Sequence, residues 1–268
     1  MIFSQPEQLA DIPLERATYA ALDIETTGIS PWTDRIVEIG VVRWSASSRA
    51  AEFQDIVNPE IPIKPGASRI HGIKQEDVET APRFRDIAED LLEELEGAVI
   101  VAHKGIAFDI PFVNAELARA GKAPLCNVVV DTGLLFKTPW LQSLGRSLSD
   151  MAKATGVKEG ERHRALPDAR LVLRVWIALL EGFADFGKHT LLDVLPYFKM
   201  PSYHRNAVEL FKRARQNRGK ATVLYPSGRS LKPRQLMPLF TRRDKVVAVE
   251  NPGEGFKEFQ AHKMVFRV

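Results

Sequence analysis

Asp23 and Glu25 close the run Ala-Leu-Asp-Ile-Glu-Thr-Thr-Gly, and side chains two apart on a strand share a face. Like charges held that close repel unless the face is wet or a cation sits between them. Asp168 stands four residues before Val172, on the helical line Val172, Val175, Leu179, so it points the way the apolar stripe points. A buried, unpaired carboxylate costs several kcal/mol or gives up its charge, which asks for a metal or a cationic partner. Asp109 follows Ala-His-Lys-Gly-Ile-Ala-Phe at the expected start of a helix, and His163 lies in the charged loop Glu161-Arg-His-Arg164. Each has an ordinary reading when taken singly. The pair fits an exposed strand end, Asp168 a dipole-stabilised acid after Pro167, Asp109 an N-cap, and His163 a surface residue. Together, four acids at element ends and one loop histidine are the inventory for phosphodiester hydrolysis with two divalent ions. Such ions, about 3.5–4 Å apart, need several hard oxygen ligands. An imidazole that exchanges protons near neutrality suits the role of base toward water.

The elements that must position these groups are legible from periodicity. Residues 17–24, 35–44 and 51–57 read as three strands of a meander, short and rich in β-branched residues, with turn chemistry at Thr27-Gly28 and Ser47-Ser48. Arg83 to Glu96 carries Phe84, Ile87, Leu91 and Leu95 at helical spacing, and Gly97 stops it. A strand from Ala98 to Ala102, a helix from Asp109 to Ala120 and a strand from Asn127 to Val130 follow. Helices over Ser147–Thr155 and Pro167–Leu180 complete this part. Strands first and then alternating helices and strands predict an α/β mixed sheet flanked by helices. Beyond residue 200 a basic helix over Asn206–Arg218 precedes short alternating runs at Ala221–Tyr225, Lys245–Val249 and Lys263–Val268, which predict a small β domain.

The chain has 268 residues, of which 45% are hydrophobic, and a formal charge of +3, which excludes disorder, collagen and small disulfide scaffolds. Its one cysteine, Cys126, can form no intrachain disulfide, and a reducing compartment is expected. The start lacks the basic end and apolar run of a signal peptide, and no stretch approaches a membrane span, so a cytoplasmic protein without a membrane partner is expected. The charge is asymmetric: residues 1–199 carry 22 basic and 29 acidic side chains, residues 200–268 carry 15 and 5. A basic tail on an acidic body suits a polyanionic partner such as nucleic acid, or equally a solvated basic surface. The expected division is 1–185, a linker over 186–205, and a basic β domain over 206–268.

Asp23-Ile-Glu25-Thr-Thr-Gly, Ile70-His-Gly-Ile73, Ala102-His-Lys-Gly-Ile-Ala-Phe-Asp109 and His163-Arg-Ala-Leu-Pro-Asp168 resemble, in order and spacing, the exonuclease motifs of the DEDDh (DnaQ-like) family. The resemblance covers roughly residues 17–181. It implies an RNase H-like fold and 3′-to-5′ hydrolysis of nucleic acid to nucleoside monophosphates with two Mg²⁺ or Mn²⁺ ions. Asp23, Glu25, Asp109 and Asp168 match the metal-binding acids and His163 the general base, while Thr26, His71 and Phe108 match positions that line the substrate cleft. The family commonly has Asn where this chain has Lys104, which bears on substrate contact and not on the metals.

The C-terminal part resembles a WYL-type domain, through Val223-Leu-Tyr225, Gly228, Arg234, Pro238 and Glu258-Phe259, with Val246-Val-Ala248 where the signature run would stand. That implies an SH3-like β fold that binds nucleic acid or another ligand. Lys212, Arg213, Arg215, Arg218 and Lys220 offer phosphate contacts there, and Tyr225 and Phe259 are expected as stacking surfaces. Gln235-Leu-Met-Pro-Leu-Phe240 resembles a sliding-clamp-binding peptide, but the same residues also serve as an ordinary β segment. The partners expected are DNA before RNA, and a polymerase or sliding clamp. The alternatives are an exoribonuclease trimming 3′ ends and a nucleic-acid-binding regulator with an inactive nuclease body.

Overall fold

The computed structural model describes residues 12–125, 127–135, 147–185, 187–194, 221–227, 230–242, 245–250, 257–260 and 265–266. The chain divides into two compact units, one of Leu14–His189 and one of Met1–Pro13 with Thr190–Val268. The expected linker around Met200 and the expected helix Asn206–Arg218 lie outside the described residues.

In the first unit, β1 (Tyr19–Thr26), β2 (Ile36–Ser45) and β3 (Ser48–Ile56) form the antiparallel meander that the sequence predicts. Next come two short helices that it does not, α1 (Pro65–His71) and α2 (Gln75–Val78), too brief to show a periodic apolar stripe. Then follow α3 (Phe84–Leu95), β4 (Val99–Ala102), α4 (Asp109–Arg119), β5 (Val129–Asp131), α5 (Leu148–Ala154) and α6 (Ala165–Asp185). The sheet order is β3-β2-β1-β4-β5, with β4 parallel to both β1 and β5, a mixed sheet with helices packed on it. The second unit contains α7 (Leu191–Val194) and the strands β6 (Ala221–Ser227), β7 (Ser230–Arg242), β8 (Lys245–Val249), β9 (Lys257–Gln260) and β10 (Val265–Phe266). These five strands form an antiparallel sheet in the order β10-β6-β7-β8-β9.

Alternation along β1 sends Ala20, Leu22 and Ile24 into one core, with Phe84, Ile87 and Leu91 of α3 and Phe112, Val113 and Leu117 of α4. Tyr19 belongs to the opposite face, where its ring meets the edge of Trp176 of α6 at a centroid distance of 5.7 Å. Asp23 and Glu25 share that second face by the same period of two. The predicted stripe of α6 is realised: Asp168, Val172, Val175 and Leu179 are all buried. α6 starts at Ala165, ahead of the expected Pro167, because a proline within the first turn gives up an amide that has no helical partner there.

One expectation for the second unit changes. Phe259, expected as an exposed stacking surface, is only 4% exposed, so it packs inside and offers no face to a base. The Gln235–Phe240 segment is part of β7, with Gln235 and Leu236 paired to β6, Met237, Pro238 and Phe240 paired to β8, and Leu236 buried. That is the ordinary β-segment reading of those residues. Arg234 of β7 pairs with Glu250, whose two carboxylate oxygens are both 2.7 Å from its Nη1. Among the described residues no helix is long and apolar enough to cross a membrane.

Candidate active site

The end of β1 is where the predicted acids meet. One carboxylate oxygen each from Asp23, Glu25 and Asp168 lies within 4.8 Å of the others. A bulge between Glu25 and Thr26 ends the regular pairing with β2 just past the acids. Asp109, on the first turn of α4, comes from the other face of the sheet and is 4% exposed. It reaches β1 because β4 pairs with β1 only over Tyr19–Ala21, and the Ile24 amide donates to Asp109 Oδ1 at 3.1 Å. This carboxylate is therefore tied to the backbone between the two acids of β1, and it does not act as an N-cap.

Asp168 reaches Asp23 through a missing side chain. Gly40 lies opposite Asp23 in the β1–β2 register, and a Cβ on it would come within 2.4 Å of the Leu166 nitrogen and 2.5 Å of the Ala165 carbonyl carbon. The first turn of α6 thus rests directly on the β2 backbone. Gly40→Ala is expected to lift that turn, cost roughly 1–3 kcal/mol and draw Asp168 away from Asp23. Urea unfolding and Mn²⁺ titration of the variant check both effects, and unchanged Mn²⁺ binding would show that the contact does not set the geometry.

The pocket is electrostatically strained without a cation. Burial, followed by the charges of Asp109, Asp168 and Glu25, pushes the Asp23 carboxyl well above the usual range, with Arg162 acting in the opposite sense. Glu25 is pushed up to about 8, chiefly by burial and then by Asp168, Glu38 and Asp109, against Arg164. Asp109 rises to about 7, again chiefly through burial; its own amide opposes the rise, the Asp131 charge adds to it, and the Ile24 amide opposes it. The folded protein holds these protons to higher pH than the unfolded chain, whose carboxyls titrate near 4. In chelator, stability therefore falls as pH rises from the unfolded value through about 7 and about 8, the folded values of Asp109 and Glu25. Melting temperatures in EDTA should drop by roughly 5–10 °C between about pH 5 and about pH 8, and saturating Mg²⁺ should flatten the profile. A flat profile in EDTA contradicts the assignment.

The histidine loop is fixed by its backbone. His163 is exposed and has φ of +61°, a left-handed conformation, and its amide donates to Asp168 Oδ2 at 3.1 Å. Arg162 Nε donates to the other oxygen, Asp168 Oδ1, at 2.5 Å. His71 and Thr26 come together beside the acids. His71 Nδ1 accepts from the Ile73 amide at 3.1 Å, which leaves Nε2 to donate to the Thr26 carbonyl at 3.3 Å. Both are 5% exposed, so in this structure they shape the end of β1 from within. Phe108 directly precedes α4 and is half-buried, its ring 4.9 Å from that of Phe112.

Two structural residues, Glu38 and Asp131, are not singled out by sequence patterning. Glu38 of β2, fully buried and opposite Glu25, accepts two hydrogen bonds from Arg164 Nε (3.1 and 3.0 Å), one from Arg164 Nη2 (2.7 Å), one from the Ala165 amide (3.0 Å) and one from Gln54 (2.7 Å). Burial works to raise its carboxyl, but these bonds prevail and hold it below the usual range. Asp131 ends β5 and accepts from the amides of Lys104 (2.7 Å), Gly133 (2.9 Å) and Ile106 (3.1 Å), which fixes the turn that delivers Asp109. Lys104 has φ of +63°, in the left-handed region that Asn tolerates better than Lys. The Asn common at this place in the resembling family thus has a backbone reason. The signal for Asp131 was available, since a carboxylate ending a strand just before Thr-Gly is a turn former.

Comparison with known proteins fits this geometry. The family model described as Exonuclease (RNase_T) matches residues 20–176. The chain therefore belongs to this exonuclease family, and its class is that of a 3′–5′ exonuclease. It is similar to a DNA polymerase III subunit epsilon of Treponema pallidum, 34% identical over 178 residues, which are 65% of this chain and 82% of the relative. A DNA polymerase III subunit epsilon-like protein of Rhodobacter capsulatus is 34% identical over 192 residues, and there the match spans 70% of this chain but 27% of the relative. Among solved structures, E. coli exonuclease I in complex with a dA16 oligonucleotide aligns with a TM-score of 0.56 and 18% identity. That alignment covers 88% of this chain and 55% of exonuclease I, and it supports the fold.

Proposed function

We propose that this protein is a divalent-metal-dependent 3′-to-5′ exonuclease that removes nucleoside monophosphates from single-stranded or frayed 3′ ends of DNA. The observation that carries the reading is the Asp23, Glu25, Asp168 cluster, whose ligand oxygens lie within 4.8 Å of one another in a pocket that burial and mutual repulsion leave short of positive charge. Hard carboxylate oxygens suit Mg²⁺ or Mn²⁺. Asp23, Glu25 and Asp168 would hold one ion, Asp23 would share a second, and Asp109 would hold the metal site in place directly or through water. Two such ions supply activation of water and stabilisation of the leaving 3′ oxygen. His163, exposed beside Asp168 and held by its backbone bond, accepts the proton of the attacking water. Thr26, His71 and Phe108 shape the floor on which the terminal nucleotide lies. DNA is preferred over RNA because the Treponema relative is named a DNA polymerase subunit and the exonuclease I structure is a complex with dA16. On the same ground association with a polymerase belongs to the proposal.

The basic residues after position 200 are read as an anchor for the nucleic-acid backbone, in a small β domain of WYL or SH3-like type spanning 206–268. Purified protein with 3′-labelled single-stranded DNA, duplex DNA and RNA, with Mg²⁺ or with EDTA, tests the whole reading. Shortening of DNA from the 3′ end in Mg²⁺ and none in EDTA is expected. Faster shortening of RNA transfers the assignment to an exoribonuclease, and binding without shortening transfers it to a regulator. Removal of residues 200–268 should weaken DNA binding and flatten its salt dependence, and an unchanged salt slope rejects the anchor.

A further inference from the structure

We propose that Arg162 is a built-in counter-ion that holds Asp168 until a divalent metal takes its place, so that this arginine sets the metal affinity of the site. The inference rests on the reading of Asp23, Glu25 and Asp168 as a metal centre. Both oxygens of Asp168 are engaged: Oδ1 by Arg162 Nε at 2.5 Å and Oδ2 by the His163 amide at 3.1 Å. The Asp168 side chain is 8% exposed, so water offers it little. Arg162 is the cation that offsets the charge on neighbouring Asp23. Arg164, two residues along, cannot take over this duty because Glu38 occupies its guanidinium.

The guanidinium of Arg162 also has a second anchorage. Its Nη1 donates to Ser149 Oγ on α5 at 2.7 Å and to Glu159 Oε2 at 3.1 Å, while Ser149 itself donates to Glu159 at 2.8 Å. A metal that takes Asp168 Oδ1 must displace the Nε bond, but the arginine then remains paired through Ser149 and Glu159. Letting go therefore does not strand a partly buried charge, which is what makes the exchange affordable. Two states follow, arginine on Asp168 or metal on Asp168, and the apparent metal affinity is lowered by the fraction of protein in the first. A role limited to holding the loop would predict the opposite, since loosening the loop would spoil the ligand geometry and weaken metal binding.

Calorimetric Mn²⁺ titration of the full chain without nucleic acid tests this on wild type, Arg162→Gln and Arg162→Lys. Arg162→Gln should bind Mn²⁺ about tenfold more tightly than wild type, and Arg162→Lys, which keeps the charge, should fall between them. In EDTA the Gln variant should melt below wild type, and Mn²⁺ should raise its melting temperature by more than it raises that of wild type. Unchanged or weaker Mn²⁺ binding by folded Arg162→Gln overturns the proposal. If that variant does not fold, the ¹⁵N–¹H signal of Arg162 Nε in wild type decides, assigned by its absence from Arg162→Lys. The signal should move when Mg²⁺ saturates the protein, and a signal that stays overturns the proposal. Wild type that binds no Mn²⁺ removes the metal centre itself, a failure distinct from normal binding with no effect of Arg162.

Discussion

Asp23→Asn is expected to reduce hydrolysis of a 3′-labelled oligonucleotide in Mg²⁺ by about a thousandfold or more, while raising the melting temperature of the metal-free protein. Both effects come from one cause. Asp23 sits among Asp109, Asp168 and Glu25, and burial with their charges pushes its carboxyl well above the usual range. Asn keeps the shape, removes the repulsion and removes the carboxylate charge that the proposed metals would need. Asp168→Asn should abolish hydrolysis as fully without the gain in stability, because it breaks the ion pair with Arg162 and weakens the acceptor of the His163 amide. Melting curves in EDTA and single-turnover hydrolysis in Mg²⁺ separate the two variants. Activity retained by either one removes the assignment of the acids.

Glu38→Ala should be the most damaging change outside Asp23, Glu25, Asp109 and Asp168, although Glu38 is fully buried. Its carboxylate gathers Arg164, the Ala165 amide and Gln54 at distances from 2.7 to 3.1 Å. Removal leaves the Ala165 amide without its acceptor and frees Arg164, whose side chain is 35% exposed and so recovers part of the loss from water. A cost of about 2–4 kcal/mol is expected in urea unfolding. The greater consequence is positional. Arg164 and Ala165 connect His163 to the start of α6, so loss of this clamp lets His163, the proposed base, and Asp168 drift, and kcat should fall about a hundredfold. Glu38→Gln, which still offers an acceptor to Ala165, should recover part of both. If Glu38→Ala loses stability but keeps kcat, the clamp is structural and does not position the histidine loop.

Much of the nuclease unit could be read in advance because its signals are local. The period of two in β1 puts Asp23 and Glu25 on one face, the helical period puts Asp168 on the inward line of α6, and both assignments hold in the structure. The helix over Phe84–Leu95 follows from four apolar residues whose side chains are all buried. Where the signal was weak, reading failed: α1 and α2 are too short for a stripe, and the length of β7 was not evident from Gln235–Phe240. Phe259 shows a different limit, since alternation says that a residue has a side but not which side is covered.

The amino-acid order by itself determined which chemistry is available: four carboxylates and a histidine, set at the ends of elements whose type their neighbours dictate. Only the tertiary structure decided how those charges are balanced. Glu38 finds Arg164 across 126 residues, the amide of Ile24 reaches Asp109 across 85, and Gly40 admits the first turn of α6 onto β2. Such pairings are energies between distant segments, set by sheet register and by the direction of packing, and no local spacing contains them. That Asp168 is held by Arg162 is a property of the folded pocket, because packing and neighbouring charge, not residue type, set the cost of that pairing.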